Sequence, residues 1–195
     1  MNNIIAKTKN YVIWLLSEKL SHKLHFHSLH RTFDVVSSVK EIAEYCELNN
    51  VETEILIVAA WFQDTGYIKK YLDHEEESKK IAAEFLKKMD CNDEFIQAVR
   101  TCIGATKKSS VPVNMFEMIL RDADMCFLSS CNFRKYLTLL RYEEGEYLGQ
   151  SYSDQEWRLK KIQLLENHIY YTGYGVKALN KLKINNLKSI NLSQD

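Results

Sequence analysis

Ala59-Ala60-Trp61-Phe62-Gln63-Asp64-Thr65-Gly66-Tyr67 closes the most apolar run of the chain. From Ile55 through Leu56, Ile57, Val58 and the two alanines to Phe62 there is no polar residue. An amide, a carboxylate and a helix-breaking glycine then follow at once. A segment that is apolar all round is either a helix buried by its neighbours or a buried strand. The β-branched residues allow a strand, but Ala59-Ala60 and a length from about Glu52 to Asp64 decide for helix. Glu52 and Glu54 fall in the first turn, where acids suit the helix dipole. The chain is therefore expected to wrap other helices around this one and to leave Gln63 and Asp64 at its end.

Working outward, the upstream stretch His25-Phe26-His27-Ser28-Leu29-His30 opens a helix. In it Phe33, Val36, Val39, Ile42 and Ala43 recur at spacings of three or four and draw one apolar stripe. His27 and His30 lie three apart, so they can share a helical face. Downstream, Asp73 and Glu76 have capping-box spacing, and Ser78, Ile81, Ala82, Phe85 and Leu86 give the inner face of the helix they begin. Further helices are expected from about Tyr11 to Lys23, Asp93 to Ala105, Met115 to Leu128, Phe133 to Tyr147, and from a Ser153 cap to His168. Asp122 and Asp124 sit within the third of these. One proline and six glycines agree with an all-α chain. Nothing marks a domain boundary. The reading is a single compact helical domain over residues 25–180 with a C-terminal helical extension, preceded by a packing helix in 1–24. A polar tail follows in 181–195 and is expected to fray.

Lys+Arg and Asp+Glu both number 26 in the 195 residues, so the chain carries no electrostatic footprint for nucleic acid or an anionic membrane. Five cysteines without CxxC spacing read as free thiols of a reducing cytoplasm, and no signal peptide is evident at the N-terminus. No apolar run approaches the roughly 20 residues needed to span a bilayer. Neither GxGxxG nor GxxxxGK[ST] occurs, which removes the dinucleotide and P-loop classes.

Imidazoles and carboxylates at the ends of separate apolar helices suggest one metal site assembled in three dimensions. A divalent cation accepts both donor types and lowers the pKa of bound water. Each residue also has a plain structural reading. His30 can be a hydrogen-bonded histidine, Asp64 can simply end its helix, and Asp122 and Asp124 can be solvated. Glu143-Glu144 and Lys160-Lys161 read as solvated faces. The seven tyrosines from Tyr136 to Tyr174 read as core and groove lining.

In five ordered blocks the chain resembles the HD superfamily of metal-dependent phosphohydrolases, most closely stand-alone bacterial members with the pattern YHNxxHTxxV, AAxFHDxGY, HExxS, IxxTK and DADL. The corresponding stretches are Phe26-His27-Ser28-Leu29-His30-Arg31-Thr32-Phe33-Asp34-Val35, Ala59 to Tyr67, His74-Glu75-Glu76-Glu77-Ser78, Ile103-Gly104-Ala105-Thr106-Lys107 and Asp122-Ala123-Asp124-Met125. The stretch from Leu139 to Thr172 also looks like that group's C-terminal region. The resemblance implies an HD-domain helical bundle with a divalent metal held by His30, Gln63, Asp64 and Asp124, with Asp122 the alternative to Asp124. Asp64 would also orient the attacking water. His74 and Lys107 would face the phosphate, and His27 would orient His30 or close the helix start. The signature histidine of the HD pair is Gln63 here. A neutral amide is a poorer donor than imidazole, which favours Mg or Mn over Fe, Ni, Co or Zn. The expectation is a cytoplasmic hydrolase of a small phosphate ester or nucleotide, binding no nucleic acid and no membrane, with room for a homo-oligomer. The alternative is a weakened or inactive domain that binds a nucleotide or a partner protein.

Overall fold

In a computed structural model, residues 4–192 are described. They form nine α-helices and no strand: α1 (Ile4–Lys19), α2 (Leu29–Tyr45), α3 (Asn50–Phe62), α4 (His74–Lys88), α5 (Asp93–Ala105), α6 (Met115–Asp124), α7 (Phe133–Leu148), α8 (Asp154–Asn167) and α9 (Asn180–Leu192). Short 3-10 turns, Thr65–Ile68 and Cys126–Ser129, follow α3 and α6, and a π turn, Gly175–Leu179, leads into α9.

The expected central helix is α3. Every residue from Leu56 to Phe62 is buried, and α1, α2, α4, α5 and α6 all pack against it. A helix with such a sequence has no polar face to offer water, so it is stable only when its neighbours enclose it. Its start is a capping box, in which Asn49 accepts from the Glu52 amide and Glu52 returns to the Asn49 amide. Ser153 and Glu156 repeat that device at α8.

Two apolar clusters make up the interior. The first surrounds α3. The second joins Phe26, Phe127, Phe133, Trp157, Leu165 and Ile190, with Met125 packed against both. The C-terminal part is fastened to the first cluster by a buried carboxylate. Asp122, fully buried, accepts the Tyr171 amide (2.9 Å), the Thr172 amide (2.8 Å) and the Thr172 hydroxyl (2.7 Å).

Several boundaries differ from the sequence reading. The first helix lies earlier, at Ile4–Lys19 rather than Tyr11 to Lys23, and α6 stops at Asp124 rather than Leu128. Asp73 precedes α4 but makes no side-chain cap; its φ is 55° and its carboxylate is taken by Lys107. The segment expected to fray is α9 as far as Leu192, while 193–195 lie outside the described residues. Its polar side chains are engaged: the Asn186 amide donates to the Leu128 (2.8 Å) and Ser130 (3.0 Å) carbonyls, and Ile190 is buried. Composition alone does not reveal such partners. Among the described residues no helix is long and apolar enough to cross a membrane.

Candidate functional site

The C-terminal end of α3 delivers Gln63 and Asp64 to a polar cluster built from five elements. Their position is set by a tight turn. Ser78 of α4 donates to the Gln63 carbonyl (2.6 Å) and accepts the Gly66 amide (2.8 Å). A Cβ on Gly66 would collide with the backbone carbonyl of His74, so only glycine lets α4 start this close to the end of α3. That approach brings the His74 ring onto the Tyr67 ring, with centroids 3.7 Å apart.

Around this turn, Nε2 of Gln63 donates to Oδ1 of Asp124 at 3.0 Å. Arg31, in the first turn of α2, points into the same place with 1% of its side chain exposed; its guanidinium lies 3.5 Å from Oδ1 of Asp124 and also donates to the Asp124 carbonyl. It rests against the paired rings of Phe26 and Phe127, 5.6 and 5.2 Å from their centroids, so both aromatic groups and the carboxylate stabilise the buried cation. His74 Nε2 stands 3.7 Å from Oδ1 of Asp64, too far for a hydrogen bond. Two buried atoms of the cluster have no partner: Oε1 of Gln63 and Nε of Arg31.

Behind these groups lies a second pair. Glu143 of α7 is fully buried, bonds Nδ1 of His27, and accepts the backbone amides of Phe26 (2.8 Å) and His27 (3.0 Å). Nε2 of His27 meets the Tyr67 hydroxyl at 3.0 Å. Burial opposes the imidazolium of His27, but the Glu143 carboxylate outweighs it and raises the pKa above the ordinary value. Glu143 is held below the carboxylate range because the His27 and backbone donors overcome its burial. For His74 burial prevails over Asp64 and Glu75, so its pKa falls. Burial, with the charge of Asp64 beside it, raises that of Asp124 in spite of Arg31.

The expected site residues therefore divide. Gln63 meets Asp124, and His74 stands beside Asp64, as two neighbouring pairs. His30 is exposed on the outside of α2, and Lys107 sits at the rim with its ammonium 2.6 Å from Asp73. Asp122 is occupied by the Tyr171–Thr172 backbone. His27 does not share a helical face with His30, because Ser28 is the N-cap and His27 lies before the helix. Glu143, expected to be solvated, is instead buried, and Glu144 pairs with Lys160 at 2.5 Å. Arg31 was not among the expected residues. The signal for it was present: the pattern's second histidine is followed directly by Thr, and the residue before Thr32 is Arg31.

The groups present do not fit a divalent cation. The residue at 63 presents its NH₂ to Asp124, an arginine cation already contacts that carboxylate, and His30 is turned away. Among the described residues no three His, Cys, Asp or Glu side chains converge as such an ion requires. What the arrangement offers is a set of fixed donors and acceptors around Asp64 and His74, walled by Tyr67. No protein-family model matches the chain, and neither a curated protein nor a solved structure matches it.

Proposed function

We propose that this chain is an HD-type helical domain that binds a nucleotide or a related small phosphate ester without hydrolysing it through a resident metal. The observation that carries the reading is the Arg31–Asp124–Gln63 network, which satisfies with protein donors the carboxylate expected to hold the metal. The ligand class follows from the five-block resemblance and from the groups left to meet a ligand. Asp64 would accept from hydroxyl or amine donors of a nucleoside, His74 would meet the phosphate, joined by Lys107 once it leaves Asp73, and Tyr67 would supply an aromatic wall. The unpartnered Gln63 Oε1 supports it too, since a buried acceptor left unpaired costs about 1–3 kcal/mol. The test is calorimetric titration of the full chain with purine and pyrimidine nucleotides, alongside phosphate-release assays with Mg²⁺ and Mn²⁺. Saturable binding that Asp64→Asn weakens, with no phosphate released, is the expected result. Phosphate release lost in Asp64→Asn would overturn it.

That outcome would favour a second reading, the metal-dependent phosphohydrolase. The Asp64 carboxylate, held 3.7 Å from His74 rather than bonded to it, is the feature that speaks for it. A Gln63→His variant more active than the natural chain would distinguish a weakened enzyme from a binding domain.

A further inference from the structure

We infer that the guanidinium of Arg31 is the resident cation of this site and that it keeps divalent ions out. The inference rests on the reading of the site as one without a metal, and it names the residue responsible. Three observations carry it. Arg31 is almost wholly buried, yet arginine retains its charge in proteins. A buried guanidinium without compensation would be expelled or would unfold the region, and here it meets Asp124 through both side chain and backbone, with Sγ of Cys126 at 3.8 Å. It also lies in the electrostatic reach of Asp64 and Asp34, so the carboxylates that would attract a divalent ion already face a fixed positive charge.

Gln63 completes the arrangement. An imidazole at 63 presents either a lone pair or a proton toward its neighbour, whereas the amide nitrogen is always a donor. Its bond to Asp124 therefore persists at every pH at which that group accepts. Arg31 and Gln63 thus both meet Oδ1 of Asp124. A divalent ion at Oδ1 of Asp124 would have to displace a buried guanidinium packed against the Phe26 and Phe127 rings.

The experiment uses Mn²⁺ as the probe on the full chain, read by calorimetry and by loss of the free-ion paramagnetic resonance signal. Three proteins are compared: the natural chain, Arg31→Lys, and the double variant Arg31→His/Gln63→His. The natural chain and Arg31→Lys are expected to show no saturable uptake. The double variant is expected to take up one Mn²⁺, and adding Asp124→Asn should weaken that uptake about 10–100-fold. Should the double variant fail to fold alone, recovery of its helical circular dichroism by millimolar Mn²⁺ supports the inference, and no recovery overturns it. A folded double variant that binds no Mn²⁺ also overturns it, as does stoichiometric Mn²⁺ binding by the natural chain. Absence of nucleotide binding with Mn²⁺ still excluded would remove the proposed ligand and leave this inference standing.

Discussion

Arg31 and Glu143 are the two residues on which the site's electrostatics turn. Replacing Arg31 by Met leaves Asp124 without its cation while filling most of the volume. Removing one partner of a fully buried pair costs about 3–5 kcal/mol, and the 24% exposure of the Asp124 side chain lets water recover part of that. The expected loss is about 2–3 kcal/mol, measured by urea unfolding. The His27–Glu143 pair makes a prediction about pH. His27 titrates above its ordinary 6.5 in the folded chain, so its contribution is whole below pH 6.5 and disappears as pH rises through the raised value. Glu143 titrates below its ordinary 4.5, so its contribution is present above pH 4.5 and disappears as pH falls through the lowered value. Melting temperature should therefore hold a plateau between these limits and fall on both sides. Glu143→Gln should flatten the alkaline fall, and an unchanged profile in that variant would exclude the pair as its cause. Glu143 also shows why residue-level reading has a limit. Beside Glu144 in a polar stretch it looks solvated, and its partner stands 116 residues away.

At the scale of elements, the joint between α3 and α4 is the part of the fold under the tightest steric control. Gly66 has no room for a side chain, because its neighbours there are the backbone atoms of His74 and Ser78. Gly66→Ala is expected to cost about 3 kcal/mol, since backbone cannot swing aside as a flexible side chain can. It should also separate Tyr67 from His74, visible as a change in the near-ultraviolet circular dichroism. Helix cores were legible because their apolar spacing follows from local geometry. The bounds were less so: Asp73 gives its carboxylate to Lys107 instead of capping α4, and the Gly66 turn packs against the start of that helix, neither of which capping-box spacing encodes.

At the scale of the molecule, two apolar clusters share Met125, and Tyr170 and Leu179 carry the C-terminal part into the first of them. Leu165 is fully buried in the second cluster, so Leu165→Ala is expected to destabilise the chain by about 3 kcal/mol. Because the clusters interlock, one unfolding transition should remain, with fluorescence and far-ultraviolet circular dichroism changing together. Two separated transitions would mean that α7–α9 fold as a unit of their own. The C-terminal segment also shows how composition misleads. A run rich in Asn, Lys and Ser reads as frayed, yet α9 is held by Asn186 and Ile190 against the turn after α6.

The order of apolar and polar residues determined by itself that the chain is all-α, that residues 55–62 lie at its centre, and that Gln63 and Asp64 end that helix. These properties depend on neighbours within one or two turns, which a linear sequence displays. Only the tertiary structure decided which charged groups meet. It chose Arg31 over His30, set Asp124 in the site and Asp122 against Thr172, and buried Glu143 beneath His27. A one-residue step on α2 turns a side chain through about a quarter of the helix circumference. Whether it then faces carboxylates or water depends on helices far away along the chain.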